Sequence, residues 1–356
     1  MGKFKKSSAW VFKAASFLIV LFITLFFLQR LLMPKYMSDI VEGALIAEYY
    51  EETTDHDVLF VGDCEVYENF SPISLYEEYG ITSYIRGSAQ QLTWQSYYLL
   101  EDTLRYETPK VVVFNVLALK YDEPQSEAYN RMTLDGMKFS KTKLDAIEAS
   151  ATDKENTLDY IFPILRYHSR WSDLSAEDVT YMFRKDKISH NGYYMRVDVR
   201  PAEGFPEPDI LPDYTLGSYA MEYLDRMREL CEEKGIAFVL VKSPSLFPHW
   251  YDEWDQQIVE YAGEHGLDYF NYEKLASEVG IDYNTDTYDA GLHMNLAGAE
   301  KLTGYFGKYL KENYDLTDHR SDPEYQKVYE EKIRFYEEME AAQRKELSEY
   351  GEIVSF

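Results

Sequence analysis

The sequence predicts an α/β protein, a three-layer α/β/α domain on a parallel sheet of about five strands, after one N-terminal transmembrane helix. Three observations carry this expectation. Ala14 through Leu28 is almost pure hydrocarbon. Beyond it, short apolar runs rich in Val, Ile and Phe recur, among them "VLFV", "KVVVFNVLAL" and "IAFVLVKSPS". Between those runs lie stretches whose apolar residues repeat at helical spacing, and strands separated by helices point to parallel pairing with helices on both faces.

The apolar run alone is short for a span, which takes about 20 residues. Lys13 and Arg30 flank it and can snorkel, extending the helix from about Ala9 to Met33. Lys3, Lys5, Lys6 and Lys13 come first, so the positive-inside rule leaves the N-terminus in the cytoplasm. Residues 30–36, "RLLMPKY", lack the small residues of a signal-peptide cleavage site, so an uncleaved anchor in the cell membrane is expected. The chain then divides into a cytoplasmic tip and anchor (1–36), a helical stalk (37–56), an extracytoplasmic domain (57–320) and a charged helical tail (321–356).

Within the domain, Val58–Val61 reads as the first strand and "SPISLYEEYG" as a helix stopped by Gly80. Ser83–Arg86 is a short second strand, and "TWQSYYLLEDTLRY" a helix with Trp94, Tyr97, Tyr98 and Leu100 on its apolar side. "KVVVFNVLAL" is apolar throughout, as a strand covered on both faces should be. Residues 121–213 interrupt the alternation with a mostly helical insertion, either a cap over a site or a surface excursion. "YAMEYLDRMRELCEEKG" then forms a helix that places Cys231 on its apolar face, and "IAFVLVKSPS" the fourth strand. "DEWDQQIVEYAGEHG", "LDYFNY" and "LAGAEKLTGYFGKYL" complete the set as helix, strand and helix. The tail from Asp322 has amphipathic spacing and suits a surface or a partner.

A formal charge of −27 argues against nucleic-acid binding, which needs a cationic face to displace counterions. Two cysteines cannot form a disulfide framework, although a single Cys64–Cys231 bridge is open to a protein in an oxidising exterior. No Gly-rich phosphate loop or clustered His/Cys/carboxylate spacing occurs, so neither a nucleotide nor a metal cofactor is expected. His168 and His190 lie in the insertion without ligand spacing.

In a parallel α/β sheet, ligands sit beyond the C-terminal strand ends. Cys64 follows the first strand, Gly87 ends the second and Asn115 lies near the end of the third, while Asp289 and His293 immediately precede the last helix. A cysteine nucleophile acts as thiolate, which the positive end of a helix and a neighbouring imidazole both favour. Asp63 and Glu65 oppose this unless they point to water. His293 is the candidate base and Asp289 its orienting partner. The backbone N–H groups of Cys64 and Gly87, with the Asn115 amide, are the candidate oxyanion donors. Gln90, Lys242, Ser243 and Trp250 are the candidates for substrate contact, Trp250 equally suiting the core.

This pattern resembles the SGNH/GDSL hydrolase family. "GDC" at 62–64 is similar to the family's Gly-Asp-Ser block with cysteine in the nucleophile's place, and "IRG" supplies the glycine after the second strand. "FNV" is a looser counterpart of the family's asparagine block, and "DAGLH" resembles its Asp-x-x-His. The resemblance covers roughly residues 57–120 and 215–312. Together with the anchor it is similar to cell-surface polymer O-acylation proteins, such as the teichoic-acid D-alanylation accessory protein, which act beside membrane-bound O-acyltransferases. It implies acyl transfer or ester hydrolysis on a cell-envelope polymer, or an inactive or glycan-binding partner that keeps the fold. Two departures stand out. Cysteine would make the acyl intermediate a thioester, and Asp289 is separated from His293 by three residues, which leaves Asp286 as the other candidate for orienting the imidazole.

Overall fold

In a computed structural model, residues 2–35, 45–185, 187–203 and 207–354 are described, with side chains from Trp10 onward. Of the stalk expected over 37–56, residues 37–44 lie outside them. Its described end is not free-standing, because Leu45, Ile46 and Tyr49 are buried in the domain core.

The five strands are β1 (Val58–Gly62), β2 (Ser83–Gly87), β3 (Val111–Asn115), β4 (Ala237–Lys242) and β5 (Asp268–Asn271). They form one parallel sheet in the order β2-β1-β3-β4-β5. Alternation along each strand divides two cores. Leu59, Val61, Val112, Phe114, Phe238 and Leu240 pack on one face, under the helices Thr93–Thr103, Ser218–Lys234 and Asp252–His265. Val58, Phe60, Val111, Val113, Val239 and Val241 pack on the other, under Pro72–Tyr79, Tyr272–Val279 and Leu296–Asn313. Burial on both faces is why these strands read as unbroken apolar runs. The chain leaves β1 toward β2 and returns to the other side of β1 as β3, so the sheet's switch point lies where β1 and β3 end.

The helix Gly2–Leu32 contains a stretch, Trp10–Leu32, that is long and apolar enough to cross a membrane. The insertion is helical as far as Tyr181, and its helix Lys141–Ser150 packs on Thr93–Thr103. The tail is one helix, Pro323–Tyr350, which buries Tyr329, Tyr336 and Gln343 at intervals of seven residues. Gln343 accepts from the Val197 N–H at 3.1 Å and donates to the Met195 carbonyl at 2.9 Å, so the tail packs on the domain's own surface. Both cysteines are free, and Cys231 is buried in the core.

A buried ionic group ties together the strand ends that carry the candidate site. Lys242 at the end of β4 donates to Glu65 Oε1 at 2.9 Å, and both side chains are out of solvent. Asn115 at the end of β3 donates to the other oxygen of Glu65 at 3.0 Å. Replacing Lys242 by Met strands Glu65 without its cation. Thermal unfolding of the detergent-solubilised chain should show a loss of about 3–5 kcal/mol, whereas a loss below about 1 kcal/mol would assign the pair no structural weight.

Candidate active site

β1 ends at Gly62, whose φ of 153° lies outside the range most side chains accept. A Cβ there would stand 3.0 Å from the Asn115 Cβ. Asp63 then caps the short helix Cys64–Tyr67, accepting the Glu65 N–H at 3.1 Å. The turn sends Glu65 inward to Lys242 and leaves Cys64 half-buried at the edge of the sheet.

His293 comes to Cys64 from the other end of the chain, on the loop before the helix Leu296–Asn313. Asp289 binds this residue twice. One carboxylate oxygen accepts the His293 backbone N–H at 2.8 Å, and the other meets ring Nδ1 at 2.6 Å. The three intervening residues are accommodated by left-handed backbone at Ala290 (φ 67°) and Gly291 (φ 98°). A bridge between Thr287 and Met294 closes the loop. Asp286, the other candidate for orienting the ring, is instead buried against Lys301 at 2.6 Å and the Asp282 N–H at 2.8 Å. With Nδ1 engaged by Asp289, Nε2 is the ring nitrogen left for the Cys64 sulfur, and the imidazole lies close enough to the thiol to shift its titration.

Glu68, which the sequence reading did not single out, is the third acid of the site. It lies four residues after Cys64, hence on the same side of a helical turn, and that spacing was the available signal. It is buried with a carboxylate oxygen 3.4 Å from His293 Nδ1, and it accepts a hydrogen bond from Tyr288. The Tyr288 ring stacks near the imidazole, and the Arg196 guanidinium lies over the Tyr288 ring, 4.8 Å from its centre. Asn69 accepts the Met294 N–H at 2.8 Å, joining the β1 turn directly to the histidine loop. Glu68, Asp289 and His293 bring ligand atoms within 4.8 Å of one another, a grouping that could seat a cation. A cation there would compete with the Nδ1–Asp289 hydrogen bond.

The electrostatics differ from the expectation of an activated thiolate. Burial pushes the Cys64 thiol up to about 11; His293 opposes this, while Asp63 and Glu68 add to it. Asp63 and Glu65 do not point to water, and the helix behind Cys64 has only four residues, too short to offset them. Asp63 is itself pushed up to about 7 by burial and by Glu65. Burial alone would lower His293, but Glu68, the Cys64 sulfur and the Asp289 hydrogen bond hold it well above the usual imidazole range. Lys120, just past β3, is held below the usual lysine range by burial, against the pull of Asp63, Glu65 and Cys64. It is a second cation-bearing neighbour of the thiol that the sequence reading passed over.

Other candidates fall elsewhere. Both hydrogens of the Asn115 amide are used, toward Glu65 at 3.0 Å and Ser243 Oγ at 3.2 Å, so its side chain braces the strand ends instead of facing an oxyanion. Lys242 and Ser243 are fully buried in the same network, which corrects their expected role in substrate contact. Trp250 is a core residue that donates to Asp255 at 3.3 Å. Gln90 stands exposed in the turn after β2 with φ 51°. Gly87 is buried under the Cys64 helix, where a Cβ would press on Val66 at 3.1 Å and the Gly62 carbonyl at 3.2 Å. The glycine there lets the nucleophile turn pack down on the sheet.

No family model matches the chain, and no curated protein matches it in sequence. Among solved structures, it is similar to a GDSL-like lipase from Bacteroides thetaiotaomicron, with 12% identity and a TM-score of 0.36 over 77% of this chain and 100% of that one. It is similar also to a candidate acylhydrolase from Bacteroides fragilis, with 12% identity and a TM-score of 0.36 over 75% of this chain and 94% of that one. At that identity and superposition the likeness assigns no residue a role.

A thiol held near 11 is almost wholly protonated at neutral pH, and its thiolate fraction grows about tenfold per pH unit below that value. Iodoacetamide labelling of Cys64, followed by peptide mass, should therefore keep accelerating from neutral pH to near pH 10. A rate that levels off below pH 8 would indicate a stable thiolate–imidazolium pair instead.

Proposed function

We propose that this chain is a membrane-anchored extracytoplasmic acyltransferase or esterase, working through Cys64, His293 and Asp289 on ester groups of a cell-envelope polymer. The observation that carries the reading is the convergence of these three residues at the switch-point edge of a parallel sheet, with Asp289 on Nδ1 and the thiol beside the same ring. The anchor-like helix and the sequence blocks that resemble the SGNH/GDSL family support the envelope setting and the acyl chemistry. A membrane-bound O-acyltransferase as donor-side partner and a surface polysaccharide as acceptor complete the proposal.

In the first half-reaction the Cys64 sulfur attacks the ester carbonyl while His293 Nε2 takes the thiol proton. The tetrahedral oxyanion is held by the backbone N–H of Cys64. Cys64 N–H is the first of its helix and so has no acceptor within it. Collapse breaks the carbonyl C–O bond, the departing alcohol takes the proton back from His293, and a thioester remains on Cys64. In the second half-reaction an acceptor hydroxyl, or water, attacks the thioester and gives its proton to His293, which returns it to the leaving sulfur. Asp289 holds the ring in register throughout and balances the imidazolium that forms in each half. The ring accepts a proton only when neutral, so the raised His293 places the working range on the alkaline side of the usual imidazole value.

A second reading, an inactive or glycan-binding partner with this fold, draws on the committed Asn115 amide and the unactivated thiol. The two readings part on turnover. With p-nitrophenyl acetate and the full chain in detergent, Cys64→Ala should fall to background, and His293→Ala should lose about 10²–10⁴-fold in kcat/KM. Wild-type turnover no greater than that of Cys64→Ala would leave the partner reading in place.

A further inference from the structure

The carboxyl end of the apolar N-terminal helix does not emerge into open space. It is gripped by the insertion, through the short helices Ile164–Tyr167 and Ala176–Tyr181 and the turn His168–Ser172. Arg30 Nε donates to the Met182 carbonyl at 3.0 Å, and Arg170 donates to the Leu32 carbonyl at 2.8 Å while pairing with Asp178. Lys35 meets Glu177 at 2.9 Å. The rings of Phe27 and Phe183 lie 6.3 Å apart.

These contacts fix heights. Phe27 precedes Leu32 by five residues, about 7.5 Å along a helix at 1.5 Å per residue. If Trp10–Leu32 spans the bilayer, Phe183 stands at the depth of Phe27, within or just under the headgroups. Trp171 directly follows Arg170, which binds the Leu32 carbonyl at the last turn of the helix, the level at which amphipathic rings collect at a membrane surface. Yet Phe183 is 70% and Trp171 73% exposed, and Phe162, Leu165 and Val179 on the same short elements are each about half exposed. An isolated apolar side chain on a surface needs no explanation, but a group of them continuous with a spanning segment does.

We infer that the 158–183 face of the insertion is a membrane-docking surface, seated in the headgroup zone of the bilayer that the N-terminal helix crosses, with Trp171 and Phe183 as its buried anchors. The inference rests on the membrane-anchor part of the proposed function. The docked face holds the domain at a set orientation against the membrane, where the anchor alone would leave it free to swing.

The test uses the full chain in lipid nanodiscs, and the Trp171 fluorescence is isolated as wild type minus Trp171→Phe. That exchange is at an exposed position and should leave folding unchanged. Co-elution with the discs reports on the anchor. A nitroxide carried on the lipid headgroup and acrylamide in the water report on docking. Docking gives a Trp171 signal that loses about half or more of its intensity to the headgroup nitroxide and is shielded from acrylamide, as expected for an interfacial indole. Chain in the discs with Trp171 open to acrylamide and untouched by the nitroxide overturns the docking surface and leaves the anchor standing. Shielding from both quenchers also overturns it, assigning the face to a protein contact. A chain that does not enter the discs removes the anchor reading and the docking surface with it.

Discussion

Glu65 is the constraint on which the site's architecture depends. Its carboxylate joins Lys242 at the end of β4 and the Asn115 amide at the end of β3, and its backbone carbonyl accepts the Ser243 hydroxyl at 2.7 Å. Two strand ends, those of β3 and β4, are thereby fixed by three contacts to the residue that immediately follows Cys64. A carboxylate so deeply buried persists only when its oxygens are satisfied, and here a lysine and an amide do so. The consequence runs outward. With Glu65 drawn in, the next residue back must turn out, and the thiol of Cys64 is presented at the carboxyl edge of the sheet. The candidate oxyanion and substrate-contact groups Asn115, Lys242 and Ser243 are consumed in holding that turn.

The same turn brings negative charge to the thiol. Asp63 caps the helix, Glu68 faces the imidazole from one turn on, and Asp289 holds Nδ1. Three acids around one thiol–imidazole pair favour a positive ring and a neutral sulfur, which is the opposite of a resting thiolate at the end of a long helix. The arrangement suits a base that becomes competent when a proton is lost from the pair, and it makes Glu68 the residue that tunes when this happens. The extra residue between Asp289 and His293 does not displace the carboxylate, since the left-handed turn at Ala290 and Gly291 takes up the added length.

Much of this was legible in the sequence, for identifiable reasons. β1, β3 and β4 are buried on both faces, so their apolar runs could not be mistaken, and the helices between them end at glycines that adopt left-handed backbone, such as Gly80 and Gly235. Cys64, His293 and Asp289 could be singled out as candidates because they lie at a strand end and before the last helix, and the structure brings the three together. What was not legible is direction. Nothing local in "FNV" or "VKSP" says that Asn115 and Lys242 point into the sheet edge, because their partner Glu65 lies far away in sequence. Glu68 was hidden among ordinary charges, and its role emerges only when Tyr288 and His293 close over it. The tail's amphipathic spacing announced a buried stripe without naming the surface that covers it, which proves to be residues 190–197 and the helix Pro72–Tyr79.

The central claim is that Cys64 accepts an acyl group with His293 as its base. It is tested most directly by trapping that group. The full chain is mixed briefly with p-nitrophenyl acetate at alkaline pH, quenched in acid and digested for peptide mass. The expected result is a single acetyl group on the Cys64 peptide, released by neutral hydroxylamine as a thioester should be, and missing over the same interval in His293→Ala. Unmodified Cys64, or acetyl groups scattered over lysines to the same extent in both proteins, would contradict it.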